Sequence, residues 1–556
     1  MDMKQIAQPG WWTPDETPPE SGRKALIEAA YRVNRPLYLV EKNGRIGCAH
    51  TGTAVVGAPA AAKPLHNAER LPLIAFVPPL PPNLLGDTGF QQRYGLRYPY
   101  IAGAMANGIT SVEMVEKMGL AGMLAFFGAA GLSIPQIAEA VHQLKTRLQH
   151  KPFGFNLIHN PNDPEMEWAT VQLYSDHGVA IVSASAYMDI TLPLVYYRAK
   201  GISRSADGEI TSPHTIIAKV SREEVAKKFF SPAPVKLLRR LVEQRMITET
   251  EAALSEQIPM ADALTAEADS GGHTDNRPAI SLLPVMLAVR NSLAKKFHYR
   301  HVPTVGLGGG IATPESAAAA FAMGAGYILT GTINQACVES GTSDTVRQML
   351  AEAGQADVTM APAADMFELG IKVQVLKRGT MFALRAAKLY ELYTGYAAYG
   401  DIPQQQRAVL ERDFFRNSYQ EAWRQTRIFF LSRDPDQVER AEKDPRHQMA
   451  LVFRSYLGQS SNWANSGEPS RKIDYQIWCG PALGAFNAWV KGSCLEKPQH
   501  RKTVTVALNI LLGASVITRL RWLAMQGVQL SSAAAYFRPL PLEEIERLLG
   551  VDPRSG

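Results

Sequence analysis

The chain has 556 residues, a formal net charge of +6 and four cysteines. This length exceeds what one compact core supports, so two or three domains are expected. The mild positive charge fits an acidic partner or substrate but does not indicate a nucleic-acid-binding protein. The four cysteines are too few for a disulfide framework and lack close metal-ligand spacing, so we expect reduced thiols, no metal site and a cytoplasmic protein.

Residues 1–90 are predicted to form a separate small region. The first 16 residues carry proline and acids and lack an apolar stretch, so they are not typical of a secretory signal. Residues 36–40 and 46–48 flank the pair Asn43-Gly44, which predicts a β-hairpin. The proline-rich run 76–82 indicates an extended connector.

Between residues 91 and 360, short apolar runs alternate with helical patterns. Eight such runs, apolar throughout, predict the buried parallel strands of an α/β fold, the (β/α)8 TIM barrel. The predicted strands are residues 98–104, 121–126, 152–157, 179–183, 215–220, 261–268, 303–306 and 326–330. The predicted helices include residues 111–118, 134–148, 164–177 and 279–297. Residues 221–257, after the fifth strand, offer a helical insertion of two or three helices, which we expect to form a lid or a substrate-specificity element.

Residues 361–556 are predicted to form a mostly helical region packed on the barrel. The predicted helices are residues 381–399, 407–431, 435–457, 481–491 and 503–526. The many aromatic residues of this region favour a hydrophobic core over a ligand site. The apolar run 503–518 contains Asn509, Gly513 and Ser515, so we expect a buried helix rather than a membrane span.

Two glycine turns follow the seventh and eighth predicted strands. Gly308-Gly309-Gly310 comes first, and Thr313-Pro314-Glu315 then has the pattern of a helix N-cap and first turn. Gly331-Thr332 follows the eighth strand. Backbone N–H groups at such turns bind an anion without a charged side chain. A dinucleotide fold would place its glycines after the first strand, so their late position favours the phosphate site of a TIM barrel over a plain turn.

Three earlier strands end in candidate residues, because chemistry in this fold collects at the carboxyl ends of strands. Ala104-Met105-Ala106 would let a flat ring lie against the backbone, although a simple turn of small residues has the same pattern. Asn156 would offer a donor and an acceptor to the barrel mouth. Lys219 lies in an apolar strand, where its ammonium needs an anion or a ring oxygen unless it reaches solvent at an edge.

The sixth predicted strand runs into Asp269-Ser270-Gly271-Gly272-His273. The glycines would let the backbone approach a ligand closely, and His273 would lie over the mouth as an acid or hydrogen-bond donor. A lone histidine is usually structural. Its place directly after Asp-Ser-Gly-Gly at a strand end favours a function.

Together these residues resemble the flavin-dependent barrels of the nitronate monooxygenase and bacterial FMN enoyl reductase superfamily. Residues 269–273 match its acid-small-Gly-Gly-His segment, with Asp269-Ser270 where nitronate enzymes usually carry Glu-Ala, and the glycine turns match its phosphate loops. Longer stretches look like the trans-acting enoyl reductases (PfaD type) of polyunsaturated-fatty-acid and polyketide synthases. They are GAMANGITSVEMVEKMG, ALTAEADSGGHTDNRP, KVQVLKRGTMFALRAAKLYELY and MALVFRSYLGQSSNWANSGEPSRKIDYQIWCGPALGAFNAW.

The resemblance implies an FMN-dependent enoyl reductase that uses NADPH and acts on an enoyl thioester held by an acyl carrier protein. It implies His273 as the catalytic residue, either donating to the thioester carbonyl or supplying a proton. The implied cofactor-binding residues are Ala104, Met105, Ala106, Asn156, Lys219, Gly271 and Gly272 near the ring and Gly308, Gly309, Gly310, Gly331 and Thr332 at the phosphate. No nucleic acid or membrane partner is expected.

Other functions stay open on the same pattern. A nitronate-type oxidase would use the same flavin scaffold but pass electrons to oxygen. A non-catalytic docking subunit would use its helical tail to organise a synthase, and a phosphosugar isomerase or aldolase could use the same phosphate loops. No motif specifies the acyl chain, the partner synthase, the docking patch or whether the chain forms a homodimer.

Overall fold

The computed structural model describes residues 9–15, 17–57, 70–159, 163–530 and 536–550. Residues 1–8 and 16 of the N-terminal stretch that the sequence distinguishes from a secretory signal lie outside this part of the chain.

An antiparallel six-stranded sheet and one helix form the N-terminal part of the described chain. Its elements are β1 (Gly10–Thr13), β2 (Glu20–Ser21), α1 (Arg23–Tyr31), β3 (Leu37–Lys42), β4 (Arg45–Ala49), β5 (Thr53–Val56) and β6 (Leu71–Val77). The strand order is β2-β4-β3-β6-β1-β5. The predicted hairpin is confirmed as β3–β4, because Asn43 and Gly44 have φ values of 54° and 71°, which a two-residue turn between twisted strands requires. The predicted connector begins inside β6.

Eight parallel strands close into the predicted barrel. The strands from here to residue 330 are β7 (Tyr100–Ala102), β8 (Leu124–Phe127), β9 (Gly154–Ile158), β10 (Ile181–Ser185), β11 (Ser203–Arg204), β12 (Ile210–Thr211), β13 (Thr215–Val220), β14 (Ala263–Glu267), β15 (Gly272–His273), β16 (Thr304–Gly308) and β17 (Ile328–Thr330). The barrel order is β7-β8-β9-β10-β13-β14-β16-β17, so all eight predicted strands are confirmed. β11 and β12 form a small separate hairpin.

Helices between the strands form the outer wall, and a short helix closes the floor. They are α2 (Thr88–Tyr94), α3 (Val112–Leu120), α4 (Ile134–Leu148), α5 (Pro164–Asp176), α6 (Leu192–Ala199), α7 (Glu223–Phe229), α8 (Val235–Glu243), α9 (Glu249–Ser255), α10 (Ala279–Phe297), α11 (Pro314–Ala322), α12 (Thr332–Gln335) and α13 (Asp344–Ala351). Helix α2 precedes the first barrel strand, and its Phe90 stacks on Tyr327 inside the barrel at 4.5 Å. The amino-terminal end of the barrel is therefore plugged, and the carboxyl end of the strands is the open mouth.

The insertion after the fifth barrel strand does not form the expected lid. It contains the three helices α7 to α9, of which α8 and α9 pack on α6. Glu251 on α9 accepts a hydrogen bond from the backbone of Gly201, and Met246 between the two helices accepts one from Lys200. Residues 200 and 201 follow α6 at the floor end of the barrel. The insertion thickens the wall at that end, so the prediction of a lid is wrong.

The C-terminal part is mostly helical, as predicted, but starts with two strands. Its elements are β18 (Val358–Pro362), β19 (Lys372–Leu376), α14 (Phe382–Gly395), α15 (Gln404–Val409), a π-helical turn (Leu410–Phe415), α16 (Tyr419–Arg433), α17 (Pro435–Lys443), α18 (Pro445–Ser466), α19 (Ala482–Val490), α20 (Thr503–Met525) and α21 (Leu542–Leu549). Short 3-10 turns cover Pro82–Leu84, Phe367–Leu369, Tyr399–Asp401, Pro469–Asp474 and Pro498–His500. β18, β19 and β15 form a three-stranded sheet, so the sequence pattern did not predict the strands that reach the Gly-Gly-His segment.

Helix α20 is the buried helix that the sequence predicts. Among the described helices it alone is long and apolar enough to cross a membrane by length and composition, and 89% of that stretch is buried inside the protein. Gly513 lets α20 approach α11 closely, since a Cβ there would lie 2.6 Å from Pro314. Arg519 donates to the backbone carbonyls of Arg32 and Arg35, which ties α20 to the N-terminal region.

Candidate active site

The candidate residues converge because parallel strands in a closed barrel all end at the same mouth. The turn after the first barrel strand is half-buried at Ala104, Met105 and Ala106. Thr110 braces this turn, since its hydroxyl donates to Gly103 O at 2.8 Å and accepts from the Met105 N–H at 3.0 Å. The turn is thereby fixed as a shelf beside the mouth.

Asn156 on the third barrel strand supports the neighbouring loop. Its side chain is 7% exposed, and Oδ1 accepts from the backbone N–H groups of Ala129 at 2.7 Å and Ala130 at 3.3 Å. The acceptor predicted for a ligand is thus used by the protein. The side-chain amide Nδ2 can still donate to a bound molecule.

Lys219 on the fifth strand pairs with Glu267 at the end of the sixth. The Nζ–Oε1 distance is 2.5 Å, and the Lys219 side chain is 28% exposed. The pair forms because Lys219 lies opposite Thr265, and Glu267 is two residues further along the same face. The sequence predicted an anion or a ring oxygen for Lys219 unless it reached solvent, but no role was assigned to Glu267. The sequence signal that could have identified Glu267 is its position, two residues after Thr265, which lies opposite Lys219.

The Gly-Gly-His loop after the sixth strand is built against the C-terminal region. β15 pairs with β19, placing Gly272 opposite Gln374 and His273 opposite Val373. The buried Gln374 donates to Asp269 Oδ1 and to Ser270 O, both at 2.8 Å. Two strands distant in sequence therefore hold the loop in one conformation.

Gly271 makes a close approach, but to the protein itself. A Cβ at this position would lie 2.9 Å from the backbone N of Cys479 and 3.0 Å from that of Gly480. Gly272 has a φ of +81°, which favours glycine. The space beside Gly271 that was expected to hold a ligand is thus filled by the chain's own C-terminal segment. Contact of Gly271 and Gly272 with a cofactor stays a prediction.

The far end of the loop is anchored on the neighbouring barrel loop. Asp275 accepts hydrogen bonds from Ser221 at 2.6 Å and from Arg222 at 2.9 Å and 3.0 Å. The Arg222 guanidinium lowers the pKa of Asp275 to about 2. Asp275 therefore stays ionised and keeps the end of the loop in place.

His273 lies at the mouth in contact with an acid from the C-terminal hairpin. Its Nε2 is 3.2 Å from Asp365 Oδ1, and the imidazole is 47% exposed. Burial by itself would lower the pKa of His273, but the hydrogen bond and charge of Asp365 outweigh burial and raise it. The same contact lowers the pKa of Asp365, against the effect of burial. An imidazolium with an ionised partner is thus favoured here.

The turns after the seventh and eighth strands leave an open cradle. Gly310 has a φ of +76°, and a Cβ at Gly310 or at Gly331 would meet no atom within 4 Å. Within the described part of the chain, the N–H groups of these two glycines have no hydrogen-bond acceptor. Because β16 and β17 are neighbours, both turns open on the same side of the mouth. Free amides beside open space suit an anion such as a phosphate.

The start of helix α11 contributes less to this cradle than its sequence suggests. Thr313 is the N-cap, as predicted, and forms a capping box with Ser316. The Ser316 hydroxyl accepts from the N–H groups of Ala312 and Thr313, both at 3.0 Å. The N–H groups of Ala312, Thr313 and Ser316 at the helix start are therefore already used. Gly309 is also occupied, since a Cβ there would lie 2.6 Å from the Ala268 backbone.

Two family models match the chain in adjacent parts. The nitronate monooxygenase model matches residues 91–398, and the inserted helical domain of [acyl-carrier-protein] S-malonyltransferase matches residues 396–475. The first covers the barrel and the hairpin β18–β19. The second covers helices α15 to α18.

Several known proteins are similar over most of this chain. One of the polyunsaturated fatty acid synthase proteins of Thraustochytrium sp. is 45% identical over 443 residues, which are 78% of this chain and 30% of that protein. Polyketide biosynthesis protein PksE of Bacillus subtilis is 45% identical over 442 residues, 79% of this chain and 57% of that protein. The chain thus matches only about a third to a half of these relatives. A solved structure, the enoyl reductase domain of MlnA from the macrolactin biosynthesis cluster of Bacillus amyloliquefaciens, has a TM-score of 0.76 and 38% identity, covering 79% of this chain and 99% of that domain.

Proposed function

Because the chain belongs to the nitronate monooxygenase family and, within it, to the PfaD-type enoyl reductases, we propose that it is an FMN-dependent enoyl reductase that uses NADPH and acts in trans. Its substrate would be the 2,3 double bond of an enoyl thioester on an acyl carrier protein in polyunsaturated-fatty-acid or polyketide biosynthesis. The observation that carries the proposal is an open anion cradle and an acid-paired imidazole at one barrel mouth.

The residues at the mouth fit FMN. Gly310, Gly331 and Thr332 would hold the phosphate, where a Cβ at Gly310 or Gly331 has open space around it, and the same role for Gly308 and Gly309 stays a prediction. Ala104, Met105, Ala106, Gly271 and Gly272 would lie beside the ring. When bound, the flavin would supply the hydride for the β-carbon of the substrate after reduction by NADPH.

Lys219 and Asn156 would orient the ring. The ammonium of Lys219 has three N–H donors, and the pair with Glu267 uses one of them at 2.5 Å. The others can donate to ring oxygens. Asn156 can add its Nδ2 donor, since Oδ1 is held by the Ala129 and Ala130 amides.

His273 would act on the thioester. An imidazolium can donate a hydrogen bond to the thioester carbonyl, where negative charge develops as the β-carbon accepts hydride, and can return a proton to the α-carbon. Electrostatic stabilisation of this kind is strongest where water is excluded. The loop carrying His273 is held by Gln374 and Asp275, so the donor is fixed before the substrate arrives.

The acyl chain would reach the mouth on a carrier protein. The net charge of +6 is favourable for an acidic carrier protein, and the malonyltransferase-type helical domain at residues 396–475 belongs by its name to enzymes that act on such carriers. We place the reaction in the cytoplasm, where the thiols of Cys48, Cys337, Cys479 and Cys494 would stay reduced.

An anaerobic reoxidation experiment tests the proposal. Protein incubated with FMN is freed of excess flavin, reduced with NADPH, and mixed with a crotonyl thioester or with an alkyl nitronate. We expect the crotonyl thioester to reoxidise the flavin and the nitronate to leave it reduced. If the crotonyl thioester leaves the flavin reduced, while an alkyl nitronate reduces the oxidised flavin anaerobically and oxygen then reoxidises it, the protein is instead a nitronate-type oxidase, the second candidate that the barrel's family model favours.

The carrier is tested by presenting one acyl group in two forms. Crotonyl on an acyl carrier protein should give a higher kcat/KM than crotonyl on a short pantetheine mimic. Equal values would remove the carrier from the proposal. A protein that retains no flavin after incubation with FMN would contradict the whole assignment and favour a docking subunit or a phosphosugar enzyme.

A further inference from the structure

We propose that Asp365, on the loop between β18 and β19, is a positioning residue that fixes the imidazole of His273 and keeps it in its charged, proton-donating form. The inference deepens the proposed function, on which it rests for the use that turnover makes of His273. It assigns part of the active site to the C-terminal region, 92 residues beyond His273.

The first step is that Asp365 is itself held in place. Its Oδ1 accepts from the backbone N–H of Met366 at 3.1 Å. The preceding carbonyl, Ala364 O, accepts from Arg454 Nε at 3.0 Å. Two residues later, the buried Phe367 packs edge-on against Phe453, with ring centroids 6.3 Å apart. The loop is therefore anchored to helix α18 on both sides of the carboxylate.

The second step is that His273 is held relative to the same loop. Antiparallel pairing places His273 opposite Val373, and Gln374 donates hydrogen bonds to Asp269 and Ser270, the two residues before Gly271. Histidine and acid thus sit on paired, anchored segments. The 3.2 Å contact between Nε2 and Oδ1 follows from this backbone arrangement and does not depend on two long, freely rotating side chains.

The third step concerns the second ring nitrogen. The Asp365 carboxylate lies 3.2 Å from Nε2, so the neutral form of His273 is favoured with its proton on Nε2 and none on Nδ1. Nδ1 can donate to a substrate only when the ring is an imidazolium. Asp365 therefore selects both the orientation of the ring and the protonation state in which it acts as an acid.

The fourth step is the charge around the ring. The charged groups that act on His273 are Asp365, Glu267 and Lys219. Lys219 and Glu267 pair with each other at 2.5 Å, so their effects on the imidazole largely cancel. Cys479 belongs to the C-terminal segment that packs on Gly271. Burial raises the pKa of its thiol to about 12, so the thiol is neutral. Among the charged groups of the described residues, Asp365 therefore has the largest effect on His273.

The test compares Asp365→Asn with the matched control Glu368→Gln. Glu368 lies on the same loop and carries the same charge, but it pairs with His447 at 3.0 Å and Arg454 at 3.3 Å. Titration of 15N-histidine-labelled full-length protein by NMR, with the His273 signals assigned by their loss in His273→Ala, reports the pKa and the tautomer without substrate or cofactor. We expect Asp365→Asn to lower the pKa of His273 and to raise the Nδ1–H tautomer. Glu368→Gln should change neither.

The second readout is the pH profile of crotonyl thioester reduction. Activity that needs the imidazolium is present below the pKa of His273 and is lost as pH rises through it. In Asp365→Asn this loss should occur at lower pH, so that kcat near pH 8 falls about 10-fold while kcat at low pH changes less than about 2-fold. Asp365→Glu keeps the charge and should move the titration back toward that of the unchanged protein.

The outcomes separate this inference from the proposed function. An unchanged His273 titration in Asp365→Asn, or a titration of Asp365→Glu that matches Asp365→Asn, would overturn the inference even if the protein reduces enoyl thioesters. A shifted titration in a protein that does not reduce crotonyl thioesters would support the Asp365–His273 pair and contradict the proposed reaction.

Discussion

The glycine loops at the barrel mouth have different neighbours, although the sixth, seventh and eighth strands that carry them lie side by side. After the sixth strand, Gly271 faces the backbone of Cys479 and Gly480, with only 2.9–3.0 Å between them and a Cβ added at Gly271. After the seventh and eighth strands, a Cβ at Gly310 or Gly331 would meet nothing within 4 Å. Gly271 thus allows the chain to pack closely on itself, whereas Gly310 and Gly331 leave an open cradle. The residue type alone does not tell which.

The difference arises because the C-terminal segment that reaches the mouth packs closely on Gly271 but leaves the space beside Gly310 and Gly331 open, although the Gly480 N–H also donates to Thr332 at 3.3 Å. β19 pairs with β15, and Cys479 and Gly480, which follow the buried Asp474 by five and six residues, pack against Gly271. Asp474 accepts from the Tyr456 hydroxyl at 2.7 Å and from Arg471 at 3.2 Å, and it also pairs with Arg385. This network connects α14, α18 and the segment that reaches the mouth. The packing of the loop after the sixth strand therefore depends on contacts outside the barrel.

The largest effect should come from Asp474→Asn. Removing one partner of a buried charge network leaves Arg385 and Arg471 without their anion, which costs about 3–5 kcal/mol of the free energy of unfolding. Urea denaturation measures it. The control, Asp413→Asn, removes a carboxylate from a surface pair with Arg412 and should stay within about 0.5 kcal/mol. Equal stabilities would show that the network does not anchor the C-terminal region.

His273→Ala should have the next largest effect, on turnover. If the imidazole donates to the developing charge, its loss lowers the rate of enoyl thioester reduction by about 10²-fold, or about 2.7 kcal/mol of transition-state stabilisation. Flavin should stay bound, because the phosphate cradle at Gly310 and Gly331 does not include His273. His301→Ala is the control, since His301 precedes β16 at the floor end and pairs with Glu209. An unchanged rate in His273→Ala would remove this residue from the mechanism.

Gly271→Ala should destabilise the loop after the sixth strand. The new methyl would press on the backbone of residues 479 and 480, which cannot rotate away, so we expect a loss of about 1–3 kcal/mol in the free energy of unfolding. In Gly458→Ala, on helix α18, the methyl meets no atom within 4 Å, and the change should be neutral or stabilising by up to about 1 kcal/mol. If both variants unfold alike, the contact at Gly271 is not tight.

The barrel could be predicted from the sequence because its signal is local and repeated. Eight runs that are apolar throughout, each followed by a helical pattern, indicate strands buried on both faces, and the closed order of the strands agrees. The helix bounds at Ala279–Phe297 and Ile134–Leu148 match the prediction. In the same way, Asn43-Gly44 encodes its turn locally.

The partners of the site residues could not be predicted, because they come from distant segments. β19 alternates Lys372, Val373, Gln374 and Val375, but it lies among helical patterns, and its pairing with β18 and with the distant β15 makes it a strand. Asp365 gives no signal of its own in the sequence. Its importance follows from a contact across 92 residues. The expected lid failed for the related reason that the length of an insertion does not determine the end of the barrel on which it packs.

The smallest effect should come from Gly331→Ala, which tests the open cradle at the turn after the eighth strand. The φ of Gly331 is −126°, outside the positive range that favours glycine, and the methyl would meet no protein atom within 4 Å. The unfolding free energy of the cofactor-free protein should therefore change by less than about 0.5 kcal/mol. The methyl would instead crowd the bound phosphate, so FMN affinity, measured by flavin fluorescence quenching, should fall about 10-fold, or about 1.4 kcal/mol. Gly309→Ala is the contrasting variant, because its φ of +82° and the 2.6 Å contact with Ala268 should destabilise the cofactor-free protein itself. If Gly331→Ala binds FMN with unchanged affinity, the phosphate does not lie at the eighth-strand turn, and the open glycines there are only a loop.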